Sequence, residues 1–153
     1  YFPLRRPFIG ALKFGSTSMS TKTHFDAAFS LKRPCGNCPF LKEGAIELEP
    51  GRLQSIVQSL LDDDGANFHC HKTVYNEKTG GTWVEDEDGA SSYQCSHKEA
   101  FCAGAMIFMQ KVGHSSVLMR MAQALGYCDR NVLMESADLV IDPEMLERSI
   151  SRN

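Results

Sequence analysis

The chain has 153 residues, of which 42% are hydrophobic and 23% are charged, so we expect one globular domain with a hydrophobic core of its own. No apolar run approaches the roughly 20 residues that span a bilayer, and the sequence therefore predicts no membrane segment and no membrane partner. The formal net charge of −3 excludes a general attraction to nucleic acid. However, seven of the nineteen acidic residues lie in two runs, 62–64 and 85–88, so a basic face is expected elsewhere.

The N-terminal segment, residues 1–23, is rich in serine, threonine, glycine and proline and shows no hydrophobic period, which predicts a mobile arm. Met19 resembles a natural start, and residues 1–18 are therefore interpreted as an upstream or artificial tail. An arm of this kind can contact phosphates without reading sequence, so nucleic acid is the partner that it suggests. The basic side chains in and just after the arm are Arg5, Arg6, Lys13, Lys22, Lys32 and Arg33.

Helical periodicity dominates the rest of the chain. The pattern predicts a helix over about residues 50–62, and its apolar positions are Leu53, Ile56, Val57, Leu60 and Leu61. Further helices are expected over His97–Lys111, after a serine cap at residue 115 or 116, around 131–136, and from Asp142-Pro143 onward.

Extended structure is predicted in two places. Residues 73–75 and 82–84 flank a loop with two glycines and predict a hairpin. This hairpin and the acidic run 85–88 are expected to form a surface-exposed insertion over residues 73–94. Residues 139–141 predict a short strand. The expected fold is thus a mainly α single domain over residues 24–153, with four to five helices and one hairpin, organised around a metal centre.

That metal centre is predicted from four of the six cysteines: Cys35, Cys38, Cys70 and Cys102. The first two form a CxxC turn bracketed by prolines, and the other two are single cysteines beside aromatic residues. Four thiolates suffice to close a metal site, although Cys70 and Cys102 also fit as small buried apolar residues. Cys102 lies near the beginning of a predicted helix, whose N-terminus favours a thiolate, and Ala103-Gly104 leaves room for a bulky centre.

The identity of the metal depends on the arrangement of the ligands. Dispersed single cysteines and a proline after CxxC favour a 4Fe–4S cluster over Zn²⁺. The nearby nitrogens of His71 and His97 would suit zinc instead, and with Cys95 they are the reserve ligands. Cys128 is interpreted as structural.

The absence of a recognisable secretory signal and the length of the chain argue against a disulfide scaffold. We therefore expect a reducing, cytoplasmic location, where clustered cysteines usually bind metal.

The runs Cys-x2-Cys-Pro-Phe, Phe-x-Cys-His-Lys-Thr and Cys-Ala-Gly-Ala resemble a family of small uncharacterised cysteine-motif proteins common in bacteriophages and bacteria. The likeness extends over about residues 33–125. It implies that the four cysteines act together, but it implies no reaction, because none is known for the family.

Three functions follow from these features, and the first is a non-catalytic metal-binding protein with a structural or redox-sensing centre and a nucleic-acid or protein partner. The second is a zinc-dependent nucleobase deaminase, since Pro34–Cys38 and His97-Lys98-Glu99 match the two halves of that signature in reverse order. The third is a thiol–disulfide oxidoreductase that uses Cys35 and Cys38, although Pro39 and the lack of a preceding strand oppose it.

Overall fold

The computed structural model describes residues 24–150, so the predicted arm at 1–23 lies outside the described residues. Within this range the chain is mainly α-helical with one antiparallel hairpin, which confirms the predicted class. The helices are α1 His24–Ala28, α2 Arg52–Asp62, α3 His71–Val74, α4 Ala103–Val112, α5 Val117–Ala124, α6 Arg130–Met134 and α7 Pro143–Ile150. The strands are β1 Thr82–Glu85 and β2 Ser91–Gln94.

These seven helices of the described range exceed the four to five that the sequence predicted. Helix α6 lies close to the helical turn predicted around 131–136, and the additional helices are α1 and α3, which have only five and four residues. A helix of one turn leaves little hydrophobic period, which explains why the pattern does not reveal it. No helix within residues 24–150 combines the length and apolar character needed to traverse a bilayer.

Helix α4 is the central element of the core. Every residue from Ala103 to Gln110 is buried, with Ile107 and Phe108 almost fully enclosed. The helix ends at Gly113, which adopts a left-handed φ of 79° and donates its N–H to the carbonyls of Met109 and Gln110. A helix buried on all sides holds its first turn firmly in place, and that turn begins at Cys102.

The predicted start of α4 was wrong. Residues 97–102 were predicted as helix, but His97 has a left-handed φ of 62° and Phe101 forms an isolated β-bridge with His69. Both conformations are incompatible with a continuing α-helix, so the helix starts only at Ala103.

The amphipathic helix α2 forms close to where its pattern predicted it, and it buries Val57 and Leu60. The serine cap is also confirmed, because the Ser116 side chain accepts a hydrogen bond from the Met119 N–H at the start of α5. Met106, Met109 and Met119 pack in the core, whereas Met121 and Met145 remain 46% and 44% exposed.

The hairpin is present but pairs different strands from those predicted. β1 pairs with β2 in the register Thr82 with Gln94 and Glu85 with Ser91, while residues 73–74 belong to α3. The acidic run forms the hairpin turn, in which the Asp86 carboxylate accepts hydrogen bonds from the N–H groups of Asp88 and Ala90. The chain therefore reverses direction at an Asx turn formed by Asp86, and not at the two glycines at 80–81 where the sequence predicted the hairpin loop.

Residues 139–141 do not form the predicted strand but a 3₁₀ turn followed by an extended crossing. Val140 bridges Leu41, and the Ile141 N–H donates to the Phe40 carbonyl at 2.9 Å. The Lys111 ammonium binds both the Val140 carbonyl and the Asp142 carboxylate, at 2.6 and 2.7 Å. The C-terminal segment thus fixes the backbone that follows the CxxC turn against α4.

Candidate metal centre

The CxxC turn is a tight reversal that directs both of its thiols inward. The Cys38 N–H donates to the Cys35 carbonyl at 3.1 Å, and the Leu41 N–H donates to the Cys38 carbonyl at the same distance. Cys38 is fully buried and Cys35 partly buried. The two consecutive turns form because Pro34 and Pro39 prevent a helix from running through this segment.

Cys70 and Cys102 are brought together by one short piece of backbone pairing. The Cys70 N–H donates to the Ala100 carbonyl and the Cys102 N–H donates to the Phe68 carbonyl, both at 2.8 Å. These bonds flank the bridge between His69 and Phe101. As a result, each cysteine immediately precedes a helix, α3 or α4, and both thiols are buried.

The thiols of these segments lie close to one another. The Sγ atoms of Cys38 and Cys102 are 3.4 Å apart. The potential ligand atoms of Cys35, Cys70 and His71 all lie within 4.8 Å of one another, so these three residues could hold a metal ion. All six cysteines are free thiols.

The pKa values show that the four thiols interact electrostatically. The hydrogen bond between the Cys38 and Cys102 thiols lowers the pKa of Cys38 and raises the pKa of Cys102, and burial raises the latter further. Burial and then the neighbouring Cys70 raise the pKa of Cys35 to about 11. A negative charge on any one of these sulfurs therefore disfavours ionisation of its neighbours, and a bound cation would offset this repulsion.

Backbone N–H groups partly compensate for this burial. Those of Phe40 and Gly104 stabilise the Cys38 thiolate, and that of Ala105, in the first turn of α4, favours ionisation of Cys102. N–H groups directed at sulfur are typical of metal-bound cysteines, because they spread the negative charge of the thiolate.

Gly104 provides the space in which these sulfurs meet. A Cβ atom at this position would collide with Cys38 Sγ and would lie 3.1 Å from the Phe40 Cβ. The Phe40 ring packs against those of Phe68 and Phe108, with centroids 5.9 and 5.7 Å away. The Cys38 and Cys102 sulfurs are therefore enclosed by aromatic rings and a close-packed helix start, whereas Cys35 is only partly buried.

His71 and Asn37 form a polar margin to the cluster. His71 Nε2 lies 3.1 Å from Asn37 Oδ1, and the Cys35 thiol is 3.9 Å from the same oxygen. Burial and then Lys72 lower the pKa of His71, so its imidazole is held neutral, the form that binds metal. The sequence analysis missed Asn37, whose only signal was an amide-bearing residue inside the CxxC turn.

Lys72 places a positive charge beside the CxxC turn. Its Nζ lies 3.8 Å from where a Cβ on Gly36 would be. Four thiolates around a divalent ion carry net negative charge, so a nearby ammonium group stabilises such a centre.

The reserve ligands other than His71 lie elsewhere. Cys95 and His97 contact each other, with Sγ and Nδ1 3.6 Å apart, and both line a separate cavity to which none of the four cysteines contributes. Cys128 is buried, and burial raises the pKa of its thiol. Lys32, one of the expected phosphate contacts, instead donates to the Phe29 and Tyr127 carbonyls.

Glu99, the acid of the deaminase-like signature, is buried in a hydrogen-bond network. Its Oε1 accepts from the Tyr93 hydroxyl at 2.7 Å and from the Ser96 N–H at 2.8 Å. Burial opposes ionisation, but these hydrogen bonds outweigh it and lower the pKa of Glu99 to about 2. The carboxylate therefore anchors the loop before α4, a role for which the sequence offered no signal.

No family model, no curated protein and no solved structure matches this chain.

Substitution of Gly104 by alanine tests the packing of the cluster. We expect Gly104→Ala to lose metal and to unfold at lower temperature, because the added methyl group overlaps the Cys38 sulfur and crowds the Phe40 Cβ. Gly36→Ala is the matched control, since its methyl group meets nothing closer than 3.8 Å and should be tolerated. Equal metal content and melting temperature in the two variants would contradict this account.

The Glu99 network predicts a specific pH dependence. The folded-state pKa of Glu99 lies below its ordinary value of 4.5, so its stabilisation is present above about pH 4.5 and is lost as the pH falls toward 2. We expect Glu99→Gln to lower the free energy of unfolding by roughly 1–3 kcal/mol at neutral pH, with the difference shrinking over that acid range. Urea titrations at several pH values, with Glu87→Gln as an exposed control, measure it. A difference that stays constant with pH would exclude the ionised network.

Proposed function

We propose that this chain is a metal-thiolate protein in which Cys35, Cys38, Cys70 and Cys102 bind one metal centre that organises the fold. The observation that carries this proposal is the convergence of free thiols from three distant segments, with Cys38 and Cys102 3.4 Å apart and Cys35, Cys70 and His71 within 4.8 Å. The N–H groups directed at the sulfurs and the space left by Gly104 support it independently.

The spacing of the ligand atoms favours a single zinc ion. With a Zn–S bond of about 2.3 Å, two sulfurs of a tetrahedral site lie roughly 3.8 Å apart. In a 4Fe–4S cluster each cysteine binds a different iron, so the sulfurs are spread around a much wider centre. The 3.4 Å between Cys38 and Cys102 is close to the first value. A 4Fe–4S cluster, which the dispersed cysteines in the sequence favoured, is the competing assignment for the metal centre.

A structural centre accounts for the surroundings better than a catalytic one. Three of the four thiols are buried, and structural zinc sites are closed whereas catalytic sites keep a coordination position open. A deaminase would need a histidine, two cysteines and a mobile glutamate at one ion. In this chain His97 lines a different cavity and Glu99 is engaged by Tyr93 and Ser96.

Thiol–disulfide exchange at Cys35 and Cys38 is also disfavoured. An attacking cysteine needs an accessible thiol with a depressed pKa. The pKa of Cys35 is instead raised to about 11, while Cys38, the thiol whose pKa is lowered, is fully buried.

Metal and sulfide content of protein purified without oxygen tests the proposal directly. We expect one zinc per chain at the cysteine centre, no acid-labile sulfide and no visible absorbance, because one ion satisfies the observed spacing. Iron and sulfide in equal amounts, with a brown absorbance that bleaches on reduction, would replace zinc by the cluster. The absence of any metal from freshly purified, folded protein would overturn the metal centre itself.

Substitution of single cysteines tests the ligand set. We expect Cys38→Ser and Cys102→Ser to lose the metal and much of their solubility, since each removes a buried ligand and structural metal binding is coupled to folding. Cys128→Ala is the matched control, as another buried free thiol that should retain the metal. Metal loss in Cys128→Ala, or full metal content in Cys102→Ser, would show that the ligand set is wrong.

A further inference from the structure

A second group of metal-binding side chains surrounds a cavity of about 220 Å³ between α1 and the loop before α4. Its wall is largely apolar, formed in part by Phe25, Phe29 and Phe101. Several side chains able to bind a metal also line this cavity: His24, His69, Cys95, His97 and Glu99.

We propose that Cys95, His97 and His24 form a second binding site, for a zinc-like divalent ion, at this cavity. The Cys95 Sγ and the His97 Nδ1 are 3.6 Å apart. A sulfur and an imidazole nitrogen on one tetrahedral zinc ion are separated by roughly 3.6 Å, given bond lengths of about 2.3 and 2.0 Å. The pair is thus spaced as two ligands of one ion.

His24 is placed to provide the third ligand. Its ring lies edge-on to the His97 ring, with centroids 5.0 Å apart and planes inclined by 61°. Two imidazoles on one tetrahedral ion have their centroids roughly 5 Å apart. The three side chains are not gathered within 4.8 Å as Cys35, Cys70 and His71 are, so the exposed His24 ring has to turn toward the ion.

The loop that carries the pair is held in place by Glu99. This carboxylate binds both the N–H and the hydroxyl of Ser96, the residue between the two ligands, at 2.8 and 3.2 Å. The one proton of the Ser96 hydroxyl is shared between this carboxylate and the nearer Thr79 carbonyl, 2.6 Å away. The backbone between the two ligands is therefore anchored before any ion arrives, and such preorganisation lowers the entropic cost of binding.

This second site differs in kind from the four-cysteine centre. Cys95, His97 and His24 are exposed, whereas Cys38, Cys70 and Cys102 are buried. An ion held by three protein ligands beside a cavity keeps a coordination position for water or a small ligand, as open zinc sites do. An exposed site also exchanges its ion with solution, which the enclosed centre does not favour.

Calorimetric titration of the purified, metal-loaded protein with Zn²⁺ tests the second site, and Co²⁺ then reports its ligands by visible absorption. We expect one additional ion per chain, with a thiolate-to-cobalt charge-transfer band. Cys95→Ser and His97→Asn should each weaken Zn²⁺ binding by at least about tenfold. Removing a residue that only supports a ligand already lowers metal affinity by about this factor, and removing the ligand itself lowers it at least as much. His24→Ala should weaken it as well.

Asparagine is chosen at position 97 because it tolerates the left-handed backbone found there. Lys98→Ala, the exposed neighbour, is the control and should bind as the unmodified protein does. No additional ion, or an additional ion unaffected by Cys95→Ser and His97→Asn, would overturn the second site. The metal and sulfide content of the freshly purified protein reports the four-cysteine centre separately, so failure of one site is distinguishable from failure of the other.

Discussion

The antiparallel contact between residues 68–70 and 100–102 is the constraint on which the rest of the site depends. Two hydrogen bonds of 2.8 Å join Cys70 to Ala100 and Cys102 to Phe68, and they place two thiols at the starts of α3 and α4. The CxxC turn packs against these two thiols, with Cys38 Sγ in contact with Cys102 Sγ. If this pairing were lost, the ligands would separate and α4, the buried helix of the core, would lose its anchored first turn.

Burying several thiols together is unfavourable unless something stabilises their charge. Burial and the neighbouring Cys70 raise the pKa of Cys35. The hydrogen bond between the Cys38 and Cys102 thiols, followed by burial, raises the pKa of Cys102, and the same bond lowers that of Cys38 with help from the N–H groups of Phe40 and Gly104. A bound cation resolves this conflict, since it converts repulsion among sulfurs into shared attraction to one charge. Phe40 and its neighbours surround the buried sulfurs with aromatic rings, and such apolar surroundings would strengthen the bonds to a metal ion at the proposed centre.

The same loop serves both proposed sites. The segment 95–102 begins with the Cys95–His97 pair, is anchored by Glu99, and ends at Cys102. Rigidity at Glu99 therefore supports the exposed pair on one side and the buried thiol on the other. The acidic hairpin turn at 85–88 projects from the segment between Cys70 and Cys95, where its charges remain in solvent.

The sequence by itself determined the helical class, the positions of α2, α5, α6 and α7, and the identity of the candidate cysteines, because hydrophobic period, capping residues and a CxxC turn are local signals. Tertiary structure decided the rest. The short helices α1 and α3, the pairing of β1 with β2, and the late start of α4 depend on contacts between distant residues. The sequence likewise did not determine which reserve ligands lie near the four cysteines. His71 lies beside them and contacts Asn37 of the CxxC turn, whereas Cys95 and His97 line another cavity. Spacing along a chain does not fix spacing in three dimensions, since a single bridge between His69 and Phe101 sets the geometry of the centre.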